Sequence, residues 1–192
     1  MDDEAFEELL QQALDGETEA VLAALDLDPS LATRVGFEGY TLLHWACWGS
    51  QLELGRALLD RGSDVRARDN NGWDALLCAC ERESNLALVT LLLDRGADPC
   101  SAGNGGYTAL MCVAFCGNYQ LCLLLVSRGA NLLALSEGRT ALDRYGNGSN
   151  LTAAEKEEHR AALRAAFAEG PHPSQVQRRK DERFARRWPL RS

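Results

Sequence analysis

Three histidines, seven cysteines and one glycine-rich stretch are where this 192-residue chain could carry chemistry. Cys78-x-Cys80 and Cys112-x-x-x-Cys116 offer thiolates of the kind zinc takes, but a zinc site built from such pairs uses two clusters at knuckle spacing, and that arrangement is missing. Gly103-Asn-Gly-Gly106 would cradle a phosphate only with Lys-Ser or Lys-Thr behind it; Tyr107 and Thr108 follow, so the stretch reads as the tip of a turn. His44, His159 and His172 come without the nucleophile or paired acids that would make a triad. These residues predict no catalytic group, no metal and no cofactor, which points to recognition as the function.

Composition narrows what could be recognised. With 46% hydrophobic and 25% charged residues, the chain reads as one ordinary globular domain with tails. Its longest apolar runs, such as residues 121–126, fall far short of the roughly 18 residues that span a bilayer, so no membrane helix is expected. Met1-Asp2-Asp3-Glu4 is acidic where a secretory signal starts basic, which places the chain in the cytosol or nucleus. The seven cysteines form no regular framework and are expected as small core-filling thiols, not disulfides.

The net charge of −8 is unevenly spread. Residues 1–34 hold ten acids against the single base Arg34, whereas residues 176–192 hold seven bases against Asp181 and Glu182. An acidic body argues against nucleic acid, because duplex binding needs clustered Lys and Arg to neutralise phosphates.

Behind these residues lies a repeat. Gly39-Tyr-Thr-Leu-Leu-His44-Trp-Ala-Cys47, Gly72-Trp-Asp-Ala-Leu-Leu-Cys-Ala-Cys80 and Gly106-Tyr-Thr-Ala-Leu-Met-Cys-Val-Ala114 are variants of one phrase, recurring every 33 or 34 residues. Each is followed by a second apolar run that closes on Asp60-Arg-Gly62, Asp94-Arg-Gly96 or Ser127-Arg-Gly129. A fixed period of this length means one supersecondary unit stacked on copies of itself. Thr41, Asp74 and Thr108 are suited to accept hydrogen bonds from the open N–H groups of a helix they start. The glycines closing each copy suit the left-handed residue after a helix end. The predicted unit is helix, turn, helix, hairpin.

In these residues the chain resembles the ankyrin repeat family, whose pattern reads Gly-x-Thr-Pro-Leu-His-x-Ala and later Leu-Leu-Leu-x-x-Gly-Ala-Asp. Residues 39–46 and 91–98 match it closely, although Leu42, Ala75 and Ala109 replace the proline, and Leu77 and Met111 the histidine. The resemblance implies an all-α ankyrin-repeat solenoid of helix-turn-helix units joined by β-hairpin-like loops, with capping helices and a basic C-terminal tail. It also implies a structural role for His44, bonding between repeats.

The ends read as caps. Residues 1–35 form a capping repeat with Phe6, Leu9, Leu10, Ala13 and Leu14 on one apolar stripe and Val21, Leu22 and Leu25 on another. Residues 36–145 hold three full repeats and one truncated copy starting at Gly138. Residues 146–170 form a capping helix opened by a Thr152/Glu155 capping box, with Leu163, Ala166 and Phe167 turned to the last repeat. Residues 171–192 are the basic Arg/Trp tail.

Partners of ankyrin repeats usually meet the hairpin tips and the exposed side of the first helices. Carried over by register, this implies a groove of Tyr40, Trp48, Trp73, Tyr107 and Phe115, with Glu81 in the row and Phe37, Glu38, Asn70, Asn71 and Asn104 as a polar edge. Aromatic anchors are enriched at interface hot spots. In the tail, Phe184 and Trp188 lie four apart on a basic amphipathic stretch and are expected as a second contact. The expected function is a non-enzymatic adaptor or scaffold, monomeric on its own, that binds a protein partner through this groove. The alternative is a structural subunit of a larger multiprotein assembly.

Overall fold

The computed structural model describes residues 1–81 and 85–169. Among them are ten α-helices: α1 (Asp3–Asp15), α2 (Thr18–Leu27), α3 (Leu42–Trp48), α4 (Leu52–Asp60), α5 (Ala75–Glu81), α6 (Leu86–Asp94), α7 (Ala109–Phe115), α8 (Tyr119–Ser127), α9 (Ala141–Arg144) and α10 (Ala153–Glu169). They stack in two rows. The inner row runs α1, α3, α5, α7, α9 and the outer row α2, α4, α6, α8, α10, each helix packed on its neighbours in the row. This is the all-α solenoid expected, in which each pair contacts only the pairs beside it. The loops between pairs are hairpin-like, with isolated antiparallel bridges at Ala102–Thr108 and Ser136–Arg139.

Local chemistry sets the helix ends. Asp74 accepts from the N–H of Leu77 at 3.0 Å, and Thr108 from that of Met111 at 3.3 Å. At the other end, the N–H of Gly62 donates to Leu59 and that of Ser63 to Leu58, closing α4 in a Schellman turn. Gly96 with Ala97, and Gly129 with Ala130, repeat the same two bonds on α6 and α8. These glycines sit at φ of 93° to 96°, a region where a Cβ is strained.

The inner helices α5 and α7 are apolar along nearly their whole length because neighbouring helices cover them. Residues 75–80 and 109–114 are buried without exception. Five cysteines belong to this core: Cys47, Cys78, Cys80, Cys112 and Cys122. None of the seven is in a disulfide. Burial pushes the thiols of Cys112 and Cys122 up to about 12, so they stay protonated and inert at neutral pH.

At the N-terminal end, α1 buries Phe6, Leu9, Leu10 and Ala13, while Leu14 is half-buried. α2 buries Val21 and Leu25. α1 approaches α3 so closely that a Cβ on Gly49 would lie 2.1 Å from the carbonyl oxygen of Leu14. Arg34 fixes this end from outside, 2.7 Å from the Asp3 carboxylate and stacked 4.5 Å over the Phe6 ring.

At the far end, Thr140 and Asp143 form a capping box, but α9 lasts one turn. Tyr145 ends it, fully buried, its hydroxyl donating to the carbonyl of Gly117 at 3.1 Å and lying 2.9 Å from Nδ1 of His159. The His159 ring stacks on Tyr119 at 4.4 Å. Thr152 and Glu155 then cap α10 reciprocally, which buries Leu163 and half-buries Ala166 and Phe167. Because α10 packs on α8, residues 138–169 supply both an inner and an outer helix of a further pair.

One periodic contact follows from the Asp-Arg-Gly phrase. Arg61 pairs with Asp26, Arg95 with Asp60 and Arg128 with Asp94, each at 2.9 Å. Each arginine reaches back to the aspartate closing the preceding outer helix, producing a ladder along that edge.

Candidate partner-binding groove

The hairpin tips are stitched together by backbone. In three copies, a residue three before the turn glycine donates to the one after it: Gly36 to Tyr40, Asp69 to Trp73 and Gly103 to Tyr107, at 2.7 to 2.9 Å. Neighbouring tips join through Asn70 N–H to Glu38 and Asn104 N–H to Asn71, both 2.8 Å. The Asn104 side chain adds a 3.3 Å bond to the Asn70 carbonyl.

His44 ties α3 to the second hairpin. Its Nδ1 accepts from the Thr41 N–H at 3.1 Å, so the proton sits on Nε2, which faces the carbonyls of Ala67 at 3.1 Å and Trp73 at 3.2 Å. Burial pushes the imidazole pKa below its ordinary value, against the opposing pull of those carbonyls. The residue is neutral and structural, as the repeat register implies.

Above this frame lies a pocket of about 360 Å³ lined by Tyr40, Trp48, Asp69, Asn71, Trp73, Cys78, Glu81 and Asn104. The Tyr40 and Trp48 rings meet at 5.5 Å, tilted by 39°. Trp45 supports both edge-on from beneath, at 5.8 and 5.9 Å. Trp48 donates its indole N–H to the Glu81 carboxylate, the residue one repeat further on. Trp73 lies over Gly103, where a Cβ would come within 2.7 Å of its indole.

Six of the expected residues therefore surround one pocket: Tyr40, Trp48, Asn71, Trp73, Glu81 and Asn104. Asn70 and Glu38 are exposed on the adjoining tips. Phe37 is 72% exposed further toward α1, its N–H donating to Glu7 at 2.7 Å. Tyr107 and Phe115 do not line this pocket. Arg144 stacks over Tyr107 at 5.2 Å, and Phe115, 45% exposed, packs its ring on Gly148. Phe184 and Trp188 lie outside the described residues.

Asp69 was absent from the expected set, and it organises the pocket floor. Only 7% exposed, it accepts from the N–H groups of Asn71 at 2.9 Å and Trp73 at 2.7 Å. Burial, then the charge and hydrogen bond of Asp69, push the Tyr40 phenol up to about 12. A signal was present in the repeat register, since the other two copies hold glycine at this place, Gly36 and Gly103. An aspartate before Asn-Asn-Gly is also suited to bond the backbone two residues on.

The pocket thus combines three aromatic rings with two carboxylates. Among the described residues, neither Asp69 nor Glu81 is in an ion pair, and no group of three or more His, Cys, Asp or Glu could hold a metal.

A family model for ankyrin repeats in three copies matches residues 4–103, and one for a single ankyrin repeat matches residues 105–137. The 26S proteasome non-ATPase regulatory subunit 10 of Homo sapiens is 38% identical over 61 residues, 32% of this chain and 27% of that protein. The Mus musculus protein of the same name is 42% identical over 60 residues, 31% of this chain and 24% of its own length. The matched segment spans about a quarter of these curated relatives. With the family pattern running through both helix rows from α1 to the hairpin after α8, the chain belongs to the ankyrin repeat family.

Proposed function

We propose that the chain is an adaptor that holds a segment of a protein partner in the groove between its hairpin tips and inner helices, with the basic 176–192 segment as a second contact. Ankyrin repeats serve protein–protein interaction, and the observation that carries the finer reading is the pocket walled by Tyr40, Trp48 and Trp73. Rigid rings of this kind lose little entropy on binding and dominate interface energetics. Their positions are braced before any partner arrives, by the Trp45 ring, by Glu81 on the Trp48 indole and by Asp69 on the Trp73 backbone. The chain is non-enzymatic in this reading and works in the cytosol or nucleus; among the described residues no helix is long and apolar enough to cross a membrane. A Trp48→Ala/Trp73→Ala double variant that keeps its helical signal should lose at least tenfold in capture of the partner from cell extract. Unchanged capture would move the site elsewhere.

A second reading is a fixed subunit of a larger assembly, favoured by the likeness to a protein named as a proteasome regulatory subunit. Elution of the native protein almost wholly in a large complex would support this reading over a reversible adaptor.

A further inference from the structure

We infer that the pocket between the first hairpins takes the cationic head of an arginine or lysine carried by a basic segment of the protein partner. The inference rests on the groove reading above and names what the groove selects. Tyr40, Trp48 and Trp73 line the pocket with aromatic rings, and a guanidinium or ammonium set against a ring face is attracted by the ring quadrupole. Glu81 is exposed at the rim and spends one contact on the Trp48 indole N–H; a carboxylate has about four acceptor sites, so it can still receive a fork of N–H donors. Asp69 contributes charge from the floor, where it already accepts from Asn71 and Trp73.

Among the described residues, no lysine or arginine lines the pocket. The rest of the chain is acidic as a whole: the seven bases and two acids of residues 176–192 leave a net −13 on the remainder of the −8 chain. Other ligand classes fit poorly. An anion would meet two carboxylates, and a purely apolar group would strip water from them without replacing it. A pocket of about 360 Å³ lies at the small end of ligand-site volumes, which suits a side-chain head held by its neighbours' backbone. Asn71 and Asn104, exposed at the tips, supply amides for that backbone.

The test uses the full 192-residue chain, ¹⁵N-labelled, titrated with acetyl-Gly-Gly-Arg-Gly-Gly-amide and with its citrulline counterpart, which keeps the shape and removes the charge. The expected result is a saturable shift of the Trp48 and Trp73 indole N–H signals with the arginine peptide. Binding should be roughly tenfold weaker for citrulline and roughly tenfold weaker in Glu81→Gln, whose amide oxygen still accepts from Trp48. Equal response to both peptides, or shifts centred away from these two indoles, would overturn the inference. If replacing Arg183, Arg186 and Arg187 by Ala moves the same indole signals in the peptide-free chain, the occupant is the chain's own tail and the partner assignment fails. Loss of partner capture in the Trp48/Trp73 double variant together with equal peptide binding would leave the groove reading standing and remove this one.

Discussion

Nε2 of His44 lies 3.2 Å from the carbonyl oxygen of Trp73, joining the inner helix α3 to the residue that walls the pocket one repeat later. The contact serves the fold and the site together. The imidazole satisfies carbonyls of the second hairpin and thereby holds the Trp73 backbone in place.

His44→Gln should therefore cost about 1–3 kcal/mol, the range for leaving buried polar groups unpaired. The folded-state pKa of His44 lies below the ordinary 6.5, so the unfolded chain binds this proton more readily. The stability associated with the neutral ring is complete above pH 6.5 and falls as pH drops through the interval down to the folded-state value. Urea melts at pH 7.5, 6.5 and 5.5 should show a shallower acid loss for His44→Gln than for the parent; parallel curves would contradict this assignment.

Gly103→Ala would drive a methyl group to within 2.7 Å of the Trp73 indole. Because Gly103 is not in a left-handed conformation, the effect is one of space and not of backbone strain. We expect a loss of about 1–3 kcal/mol, as for other overpacked sites, and a red shift of tryptophan emission with helical circular dichroism unchanged. An unaltered emission spectrum would show that Trp73 does not rest on this glycine.

The Asp-Arg ladder should matter little and should be sensitive to salt. Its arginine side chains are 34% to 36% exposed and their aspartate partners 58% to 69%. Exposed pairs contribute about 0.2–1 kcal/mol each. Replacing Arg61, Arg95 and Arg128 by Gln should lower the melting temperature by only a few degrees at low salt, and by less at 0.5 M, where the Debye length is shorter. A large, salt-independent drop would assign these arginines a packing role instead.

Thiol chemistry should report the packing of the core directly. Cys100 and Cys116 are exposed and the other five cysteines buried. In the native protein a water-soluble thiol reagent should label up to these two positions quickly, and all seven only after denaturation. Fast native labelling of Cys47 or Cys80 would mean that the inner row opens locally.

What could be read from the chain was local or periodic. Helix starts at Asp74 and Thr108 and stops at Gly62, Gly96 and Gly129 depend on bonds within five residues, so composition at those places is enough to announce them. The stacking of pairs followed from the 33- to 34-residue spacing, because a unit that cannot bury its own apolar face must repeat against a copy. Register also put Trp48 and Glu81 at equivalent places in successive repeats, which is why both could be named as neighbours in one row.

The division of the groove was settled only by tertiary packing. Tyr107 and Phe115 carry the same register as Tyr40 and Trp48, yet Arg144 covers the one and Gly148 meets the other, since the inner helix α9 lasts a single turn and the loop after it folds back. Asp69 gained its role the same way, from its hydrogen bond with Tyr40, which lies 29 residues earlier. The sequence by itself determined the repeating unit, because its determinants are hydrogen bonds and apolar faces within one period. Which aromatics share a pocket, and with which charges, was decided by contacts between periods, where a single departure such as Asp69 or the shortened α9 changes the surface without disturbing the stack.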